Sequence, residues 1–401
     1  MIMTEIRTND DALCPVCACA DGFALAEAST VPILMNRLYP TPAAARAAPS
    51  GPLRLTRCER CGFTGNRDFR PEFVVYDETY ENDQSWSGVF QTHVERLAGD
   101  VVGAAARLRY LEIGCGQGAF LGLVAKRAGA RLASAEGFDP AWRGADGDGP
   151  FGAHIHKSHF TRASQQALEA APNVVVSRHT IEHVPDPVAF LAAIREALGP
   201  DADATIFLET PCVDWILRHD AMQDFFYEHC SLFTARSLAL ALERAGFHSP
   251  RVEHAFGGQY LWARARTAPG GPRFETPAPL RGRLALSRRD DFIAHWRQRA
   301  ATASARGQCA IWGAGAKGVT FALMMDSEAP PFDHVVDINP AKQNLYLAGS
   351  ALQVLAPEKS AARGVTAYFV MNPNYREEIA ARLAALGSDA ELIALEGDAE
   401  Q

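Results

Sequence analysis

The sequence contains neither a long apolar run nor a long basic run. No stretch of about 18 uncharged apolar residues occurs, and the first residues lack the apolar segment of a secretory signal. The formal net charge is −8, and no cluster of Lys and Arg could neutralise a phosphate backbone. We therefore expect a cytoplasmic protein that has neither a membrane nor a nucleic acid as its partner.

The composition is that of a globular protein, with 48% hydrophobic and 21% charged residues. A chain of 401 residues exceeds what one hydrophobic core usually organises, so several domains are expected. Changes in pattern along the chain predict a metal-binding module over 1–75 and a large α/β domain over 76–265. A linker and helix follow over 266–306, and a second α/β domain occupies 307–401.

Four of the nine cysteines form two Cys-x-x-Cys pairs, Cys14 with Cys17 and Cys58 with Cys61. In a cytoplasmic chain this spacing indicates a metal site rather than disulfides. Four thiolates would complete the tetrahedral shell of a structural Zn²⁺ and leave no open position for catalysis. The metal would supply folding free energy, on the order of 10 kcal/mol in zinc peptides, that so small a module lacks.

Strand and helix patterns alternate from Leu108 onward, which predicts a βαβ start and a mainly parallel sheet. The turn Glu112-Ile-Gly-Cys-Gly-Gln-Gly118 follows the first strand, and Asp139 ends the next one. Glycines in such a turn let a ligand approach the backbone, while Glu112 can accept hydrogen bonds from its polar groups and Asp139 can hold its ribose hydroxyls. This alternating spacing favours S-adenosylmethionine over NAD. The predicted cofactor-binding residues are Glu112, Gly114, Gly116, Gly118 and Asp139.

Two histidine-bearing segments come later, Arg178 to Asp186 and Phe225 to Phe233. Both are expected at the cofactor edge of the sheet, where His179 would border the cofactor. A neutral histidine can remove a proton at neutral pH. Methylation of carbon requires such a base to form an enolate, whereas methylation of oxygen or nitrogen requires less basicity. The residues alone leave these alternatives open, together with a ligand-binding protein that has no enzymatic activity.

A second glycine turn, Gly313-Ala-Gly-Ala-Lys-Gly318, follows an apolar strand, and Asp337 ends the next strand. On its own this pattern fits a dinucleotide fingerprint. A substrate-holding or structural turn and an empty turn are the other interpretations. Lys317 and Asn372 are the candidate substrate ligands in this domain.

Four segments together resemble the C-methyltransferases that act on nucleotide-linked deoxysugars. These segments are the cysteine pairs, the Leu111 to Gly118 turn, Tyr227-Glu-His229 with Phe233, and the second glycine turn with Asp337 to Gln343, Tyr346 and Gly349. The resemblance implies a zinc module, a Rossmann-like class I methyltransferase domain and a second Rossmann-like α/β domain that holds substrate, here a small molecule such as a nucleotide-sugar.

The resemblance also implies roles for individual residues. His229 would be the base that deprotonates carbon 3 of a 4-ketosugar, assisted by Glu228, and His183 would lie near the reacting carbonyl. Tyr80 occupies the family's aromatic substrate position, and Tyr227 is a candidate substrate ligand. The family usually shows Tyr-His-Glu-His where this chain has Phe226-Tyr-Glu-His229, and Asn where His179 stands. O- or N-methylation of another small metabolite is therefore kept as an alternative.

Overall fold

The structure is a computed structural model of the chain. It describes residues 13–20, 22–24, 29–77, 79–161, 163–164, 168, 170–199, 202–268, 288–325 and 331–395. The Pro/Gly-rich passage predicted as a linker, Pro269 to Pro272, lies outside these residues. No helix in these ranges is both long and apolar enough to cross a membrane.

The N-terminal module is built from short antiparallel strands. Its elements are β1 Gly22–Ala24, β2 Ser29–Pro32, α1 Pro42–Arg46, β3 Ser50–Leu53, β4 Leu55–Cys58 and β5 Thr64–Asn66. β2 and β3 form a hairpin, while β1, β4 and β5 share a sheet with β11 Ser231–Leu232 from the next domain. A strand of the central domain thus completes the sheet of the module.

The central domain is a seven-stranded sheet with helices on both faces. The seven strands of this sheet are β6 Leu108–Ile113, β7 Leu132–Phe138, β8 His154–His156, β9 Val174–Arg178, β10 Thr205–Pro211, β12 His248–Ala255 and β13 Tyr260–Arg266. Its helices are α2 Gly88–Gly103, α3 Ala119–Ala128, α4 Pro187–Ala197, α5 Val213–Arg218 and α6 Ala235–Arg244.

The strand order is β12-β13-β10-β9-β6-β7-β8, with β13 antiparallel to both of its neighbours. The predicted, mainly parallel sheet is therefore confirmed. In such a sheet, ligands bind at the carboxyl ends of the strands, where the order reverses, and here that point lies between β6 and β9. The first glycine turn follows β6 and the Arg178 segment follows β9, so the fold brings both to this point.

The C-terminal domain is a second, entirely parallel sheet. Its elements are α7 Arg288–Ser304, β14 Cys309–Trp312, α8 Ala316–Met325, β15 His334–Val336, β16 Val354–Leu355, α9 Pro357–Ala361, β17 Ala367–Val370, α10 Arg376–Ala385 and β18 Glu391–Ala394. The order β16-β15-β14-β17-β18 is that of a Rossmann-like sheet. The second α/β domain expected from the sequence is thereby confirmed.

The C-terminal domain packs against both other parts of the chain. Tyr346 exchanges two backbone hydrogen bonds with Tyr39, and the Gly349 amide donates to the Ala45 carbonyl at 2.8 Å. On the other side, Lys317 pairs with the buried Asp224 of the central domain at 2.8 Å. Gln259 and Asn372 exchange two side-chain amide hydrogen bonds of 2.8 and 2.9 Å across the same junction.

The Lys317–Asp224 pair generates a stability prediction. Lys317→Met leaves the Asp224 carboxylate buried without its cation, and we expect a loss of about 2 kcal/mol of unfolding free energy because the pair is mostly removed from water. Urea unfolding measures the change. Lys359→Met, at an exposed lysine, is the matched control and should change stability by less than about 0.5 kcal/mol. Equal effects of the two substitutions would contradict a stabilising role for the pair.

Candidate active site

One large cavity, of about 2130 Å³, opens at the carboxyl edge of the central sheet. It extends from the first glycine turn toward the N-terminal module. The predicted site residues along its wall are Tyr80, Glu112, Gly114, Gly116, Asp139, His179 and His183. Gly118, which precedes α3, and His229 are not among the lining residues. None of the lining residues belongs to the described part of the C-terminal domain.

The first glycine turn is shaped by backbone conformations that favour glycine. Gly114, Gly116 and Gly118 have φ values of 74°, 56° and 71°. A Cβ on Gly114 would lie 2.0 Å from Thr180 Oγ1, and one on Gly118 would lie 2.8 Å from Ile155 Cδ1. A Cβ on Gly116 would meet no atom within 4 Å, so the open side of the turn is at Gly116. This cradle fits a ligand that lies against the backbone.

Two acidic residues border this cradle. Asp139 accepts hydrogen bonds from the Gly116 and Ala141 amides, each at 2.8 Å, and burial raises its pKa. Glu112 accepts a hydrogen bond of 2.8 Å from the Tyr110 hydroxyl. Burial raises the pKa of Glu112 to about 7, although Arg178 opposes the shift. Both carboxyl groups therefore border the turn at which the sequence predicts the methyl donor, and their binding to it stays a prediction.

A network of ionisable side chains follows β9. His179 has a φ of 47°, and its Nδ1 lies 3.2 Å from Glu182 Oε1. The Thr210 hydroxyl donates to Glu182 Oε2 at 3.0 Å. Burial opposes ionisation of Glu182, but the His179 hydrogen bond and the nearby imidazoles outweigh it and lower the pKa to about 2. Glu182 is therefore an ionised, fully buried carboxylate.

His183 and His229 meet beside this carboxylate. Their ring centroids are 4.8 Å apart, and one ligand atom from each lies within 4.8 Å of a Glu182 oxygen and of the other. His183 borders the cavity, whereas His229 lies beside His183, and its buried Nδ1 has no hydrogen-bond partner among the described residues. Burial, together with the neighbouring His183, lowers the pKa of His229 to about 3. His229 is therefore neutral at pH 7.

Two tyrosines connect the histidines to Glu228. The Tyr76 hydroxyl lies 2.7 Å from His183 Nδ1 and donates to Glu228 Oε2 at 3.2 Å, while Tyr80 donates to the same oxygen at 2.8 Å. The Met35 amide donates to the other Glu228 oxygen at 2.9 Å. Tyr76 was missed by the sequence reasoning, and only its position four residues before Tyr80 could have indicated it.

Three candidate substrate residues lie away from this cavity. The buried Tyr227 hydroxyl accepts a hydrogen bond of 2.9 Å from the Arg70 amide, and its ring packs near Phe69. Lys317 and Asn372 make the interdomain contacts described above. The alternative of an exposed surface lysine does not fit Lys317, whose side chain is only 20% exposed. Substrate binding by these three residues stays a prediction.

The four paired cysteines come together in the N-terminal module. Their sulfur atoms all lie within 4.8 Å of one another, with 3.6 Å between Cys14 and Cys61 and 3.4 Å between Cys17 and Cys58. Sulfurs at tetrahedral corners around Zn²⁺ are about 3.8 Å apart, given the usual Zn–S bond length. The cluster therefore fits the metal predicted from the sequence.

Two family models and one curated relative match this chain. Residues 84–249 match the family model of a methyltransferase domain, and residues 290–394 match the model described as the C-methyltransferase C-terminal domain. The curated C-methyltransferase NovU of Streptomyces niveus is 24% identical over 353 residues, which cover 82% of each chain. The chain is an S-adenosylmethionine-dependent methyltransferase that carries a methyltransferase domain and a C-methyltransferase C-terminal domain. The enzymatic prediction is confirmed, and a protein that only binds ligand is set aside.

Two similar solved structures each cover less than half of this chain. The CurJ carbon methyltransferase structure is 15% identical, covers 46% of this chain and 56% of its own, and has a TM-score of 0.33. A methyltransferase from Aquifex aeolicus is 13% identical, covers 47% of this chain and 100% of its own, and also has a TM-score of 0.33.

Substitutions in the glycine turn should separate stability from donor binding. Gly114→Ala combines a positive φ with a severe clash against Thr180, so it should lower the melting temperature of the ligand-free enzyme more than Gly116→Ala does. Gly116→Ala carries only the conformational cost, roughly 1–2 kcal/mol, but puts a methyl group on the open side of the cradle. Calorimetry and titration with S-adenosylhomocysteine test both effects. The reverse order of melting temperatures would contradict this description of the turn.

Proposed function

We propose that this methyltransferase methylates a carbon next to the carbonyl group of a nucleotide-linked ketodeoxysugar or a similar small metabolite, with His229 as the general base. The observation that carries the proposal is the cluster beside the cavity in which the half-buried His183 and His229 meet the buried Glu182. The similarity to the C-methyltransferase NovU and the match to a C-methyltransferase C-terminal domain support carbon as the acceptor atom. The sugar rests on the family resemblance.

The protonation states in the cluster suit proton abstraction from carbon. Burial lowers the pKa of His229, so the ring is neutral at pH 7 and has a lone pair that can accept a proton, but the same shift makes it a weaker base. The ionised, buried Glu182 would offset this weakness by stabilising the imidazolium that forms beside it. Glu228 has a raised pKa through burial, and its hydrogen bonds from Tyr76 and Tyr80 fix both phenols.

The reaction follows in two steps. The substrate carbon approaches past His183, because His229 does not line the cavity. The carbon–hydrogen bond next to the carbonyl breaks, His229 takes the proton, and the electron pair moves onto the carbonyl oxygen as an enolate. His183, which borders the cavity, would lie near that oxygen. When bound, the methyl donor would supply an electrophilic methyl group to the enolate carbon, and the electron pair of the broken sulfur–carbon bond would stay on sulfur as S-adenosylhomocysteine leaves. His229 would then release its proton to solvent.

The histidine role has a direct test. His229→Asn should abolish methyl transfer to a thymidine-diphosphate-linked 4-keto-6-deoxyhexose while leaving the affinity for S-adenosylhomocysteine unchanged. Without methyl donor, the wild-type enzyme should exchange the carbon 3 proton of this acceptor for solvent deuterium, and the variant should not. Mass spectrometry measures both reactions. His254→Asn, at an exposed histidine of β12, is the matched control.

The results of this experiment test both the identity of the base and the kind of atom that is methylated. Turnover by His229→Asn at the wild-type rate would overturn the assignment of the base. Methyl transfer without deuterium exchange would favour O- or N-methylation, for which no enolate is needed.

We further propose that Cys14, Cys17, Cys58 and Cys61 bind a structural Zn²⁺. The sulfur distances support four-thiolate coordination, and such a closed shell leaves the metal without a catalytic position. The metal would link two knuckles that are separated by most of the module.

Metal analysis tests this proposal. Cys58→Ser combined with Cys61→Ser should remove bound zinc, as measured by plasma mass spectrometry, and should lower the melting temperature because the module loses metal-dependent folding energy. Cys19→Ser is the control, since Cys19 lies near the cluster but outside it. Full zinc retention in the double variant, or wild-type protein without zinc, would contradict the site.

A further inference from the structure

Arg178 is a charged side chain at the cofactor edge for which the proposed function gives no role. It ends β9, is only 10% exposed, and its Nε donates to Glu209 Oε2 at 2.7 Å. Its guanidinium lies over the Phe120 ring, with Cζ 4.4 Å from the ring centroid. Phe120 is the second residue of α3, directly after the glycine turn. Arg178 is thus held rigidly next to the cradle.

The terminal nitrogens of Arg178 are free to bind a ligand. Within the described residues neither has a hydrogen-bond acceptor, and neither is sealed from solvent, while Arg178 is among the residues that line the cavity. An arginine fork with one edge held by a carboxylate and the other open is the geometry that recognises a second carboxylate.

Glu112 supplies the opposite charge beside this fork. β6 and β9 are parallel neighbours, with Glu112 paired to Val176, so Glu112 and Arg178 emerge on the same face of the sheet at its carboxyl edge. One Glu112 oxygen accepts a hydrogen bond from the Tyr110 hydroxyl, and Glu112 also lines the cavity. A cation and an anion are therefore presented side by side at the glycine turn.

We propose that Arg178 and Glu112 form a two-charge clamp for the amino-acid end of the methyl donor. Arg178 binds the α-carboxylate and Glu112 binds the α-ammonium. The clamp rests on the donor being S-adenosylmethionine and is independent of the acceptor and of His229. Glu209, which also contacts His93 at 2.5 Å, acts as the positioning residue for Arg178.

The charges around Arg178 agree with this role. Glu209 on β10 and Glu112 on β6 face it, with Tyr110 beside Glu112 and His179 3.5 Å from Glu209. Burial raises the pKa of Glu112 to about 7, and an ammonium group bound beside it would favour its ionised form.

The clamp predicts which donor analogues bind. Wild-type enzyme should bind S-adenosylmethionine about 10- to 100-fold more tightly than decarboxylated S-adenosylmethionine, because a charge-assisted bidentate contact is lost in the analogue. Arg178→Met keeps the apolar stem over Phe120 and should remove this preference. Its affinity for the decarboxylated analogue should change by less than about threefold. Titration calorimetry on the full chain measures all four affinities.

Further variants keep the test decisive. Arg178→Lys should retain part of the preference, because charge remains but the fork is lost. Arg109→Met, on β6 and away from the cavity, should retain all of it. Glu112→Gln should in the same way remove the preference for S-adenosylhomocysteine over its deaminated analogue.

Two outcomes would overturn the clamp. The first is a wild-type enzyme that binds both donors equally, a measurement that needs no variant to fold. The second is an Arg178→Met enzyme that weakens both ligands by the same factor, which would make Arg178 a structural residue only. His229→Asn should keep the wild-type preference, so failure of the proposed base leaves this test intact.

Discussion

Burial of carboxylates at the carboxyl edge of the central sheet is the constraint on which the site depends. Glu112, Glu182 and Glu209 come from adjacent strands or the segments that follow them, and all are almost completely removed from solvent. A buried carboxylate is costly unless charged or hydrogen-bonding groups surround it. Arg178 compensates both Glu112 and Glu209, so the cofactor edge and the histidine network share one cation.

Glu228 extends this constraint to the N-terminal module. The groups that contact its carboxylate come from outside the central domain's own sheet, namely the Met35 amide, the phenols of Tyr76 and Tyr80, and the His183 ring. The segments that bear Met35 and the tyrosines belong to, or directly follow, the module that holds the cysteine cluster. The acceptor side of the cavity therefore depends on the fold of a module whose own core is small.

The sequence predicted features that are set by local patterns. β6, β7 and β14 lie where the sequence predicted strands, since β6 and β14 run directly into the two glycine turns and β7 ends at Asp139. Contacts that depend on strand register or on distant segments were not predictable. Arg178 faces Glu112 only through the pairing of β6 with β9, and Tyr76 reaches Glu228 across 152 residues. Lys317 was expected at the substrate, yet in the structure it neutralises Asp224 between domains.

The two glycine turns show how one local geometry serves different ends. In each, a backbone amide donates to an aspartate 23 residues later, Gly116 to Asp139 and Ala314 to Asp337. Space in front of Gly116 is open, whereas a Cβ on Gly315 would lie 3.6 Å from Asn36 Oδ1. Asn36 in turn donates to the Tyr80 hydroxyl, which donates to Glu228. The Asn36 side chain therefore lies against the second turn and links this turn to Tyr80. The cavity lies at the first turn, where the space beside Gly116 is open.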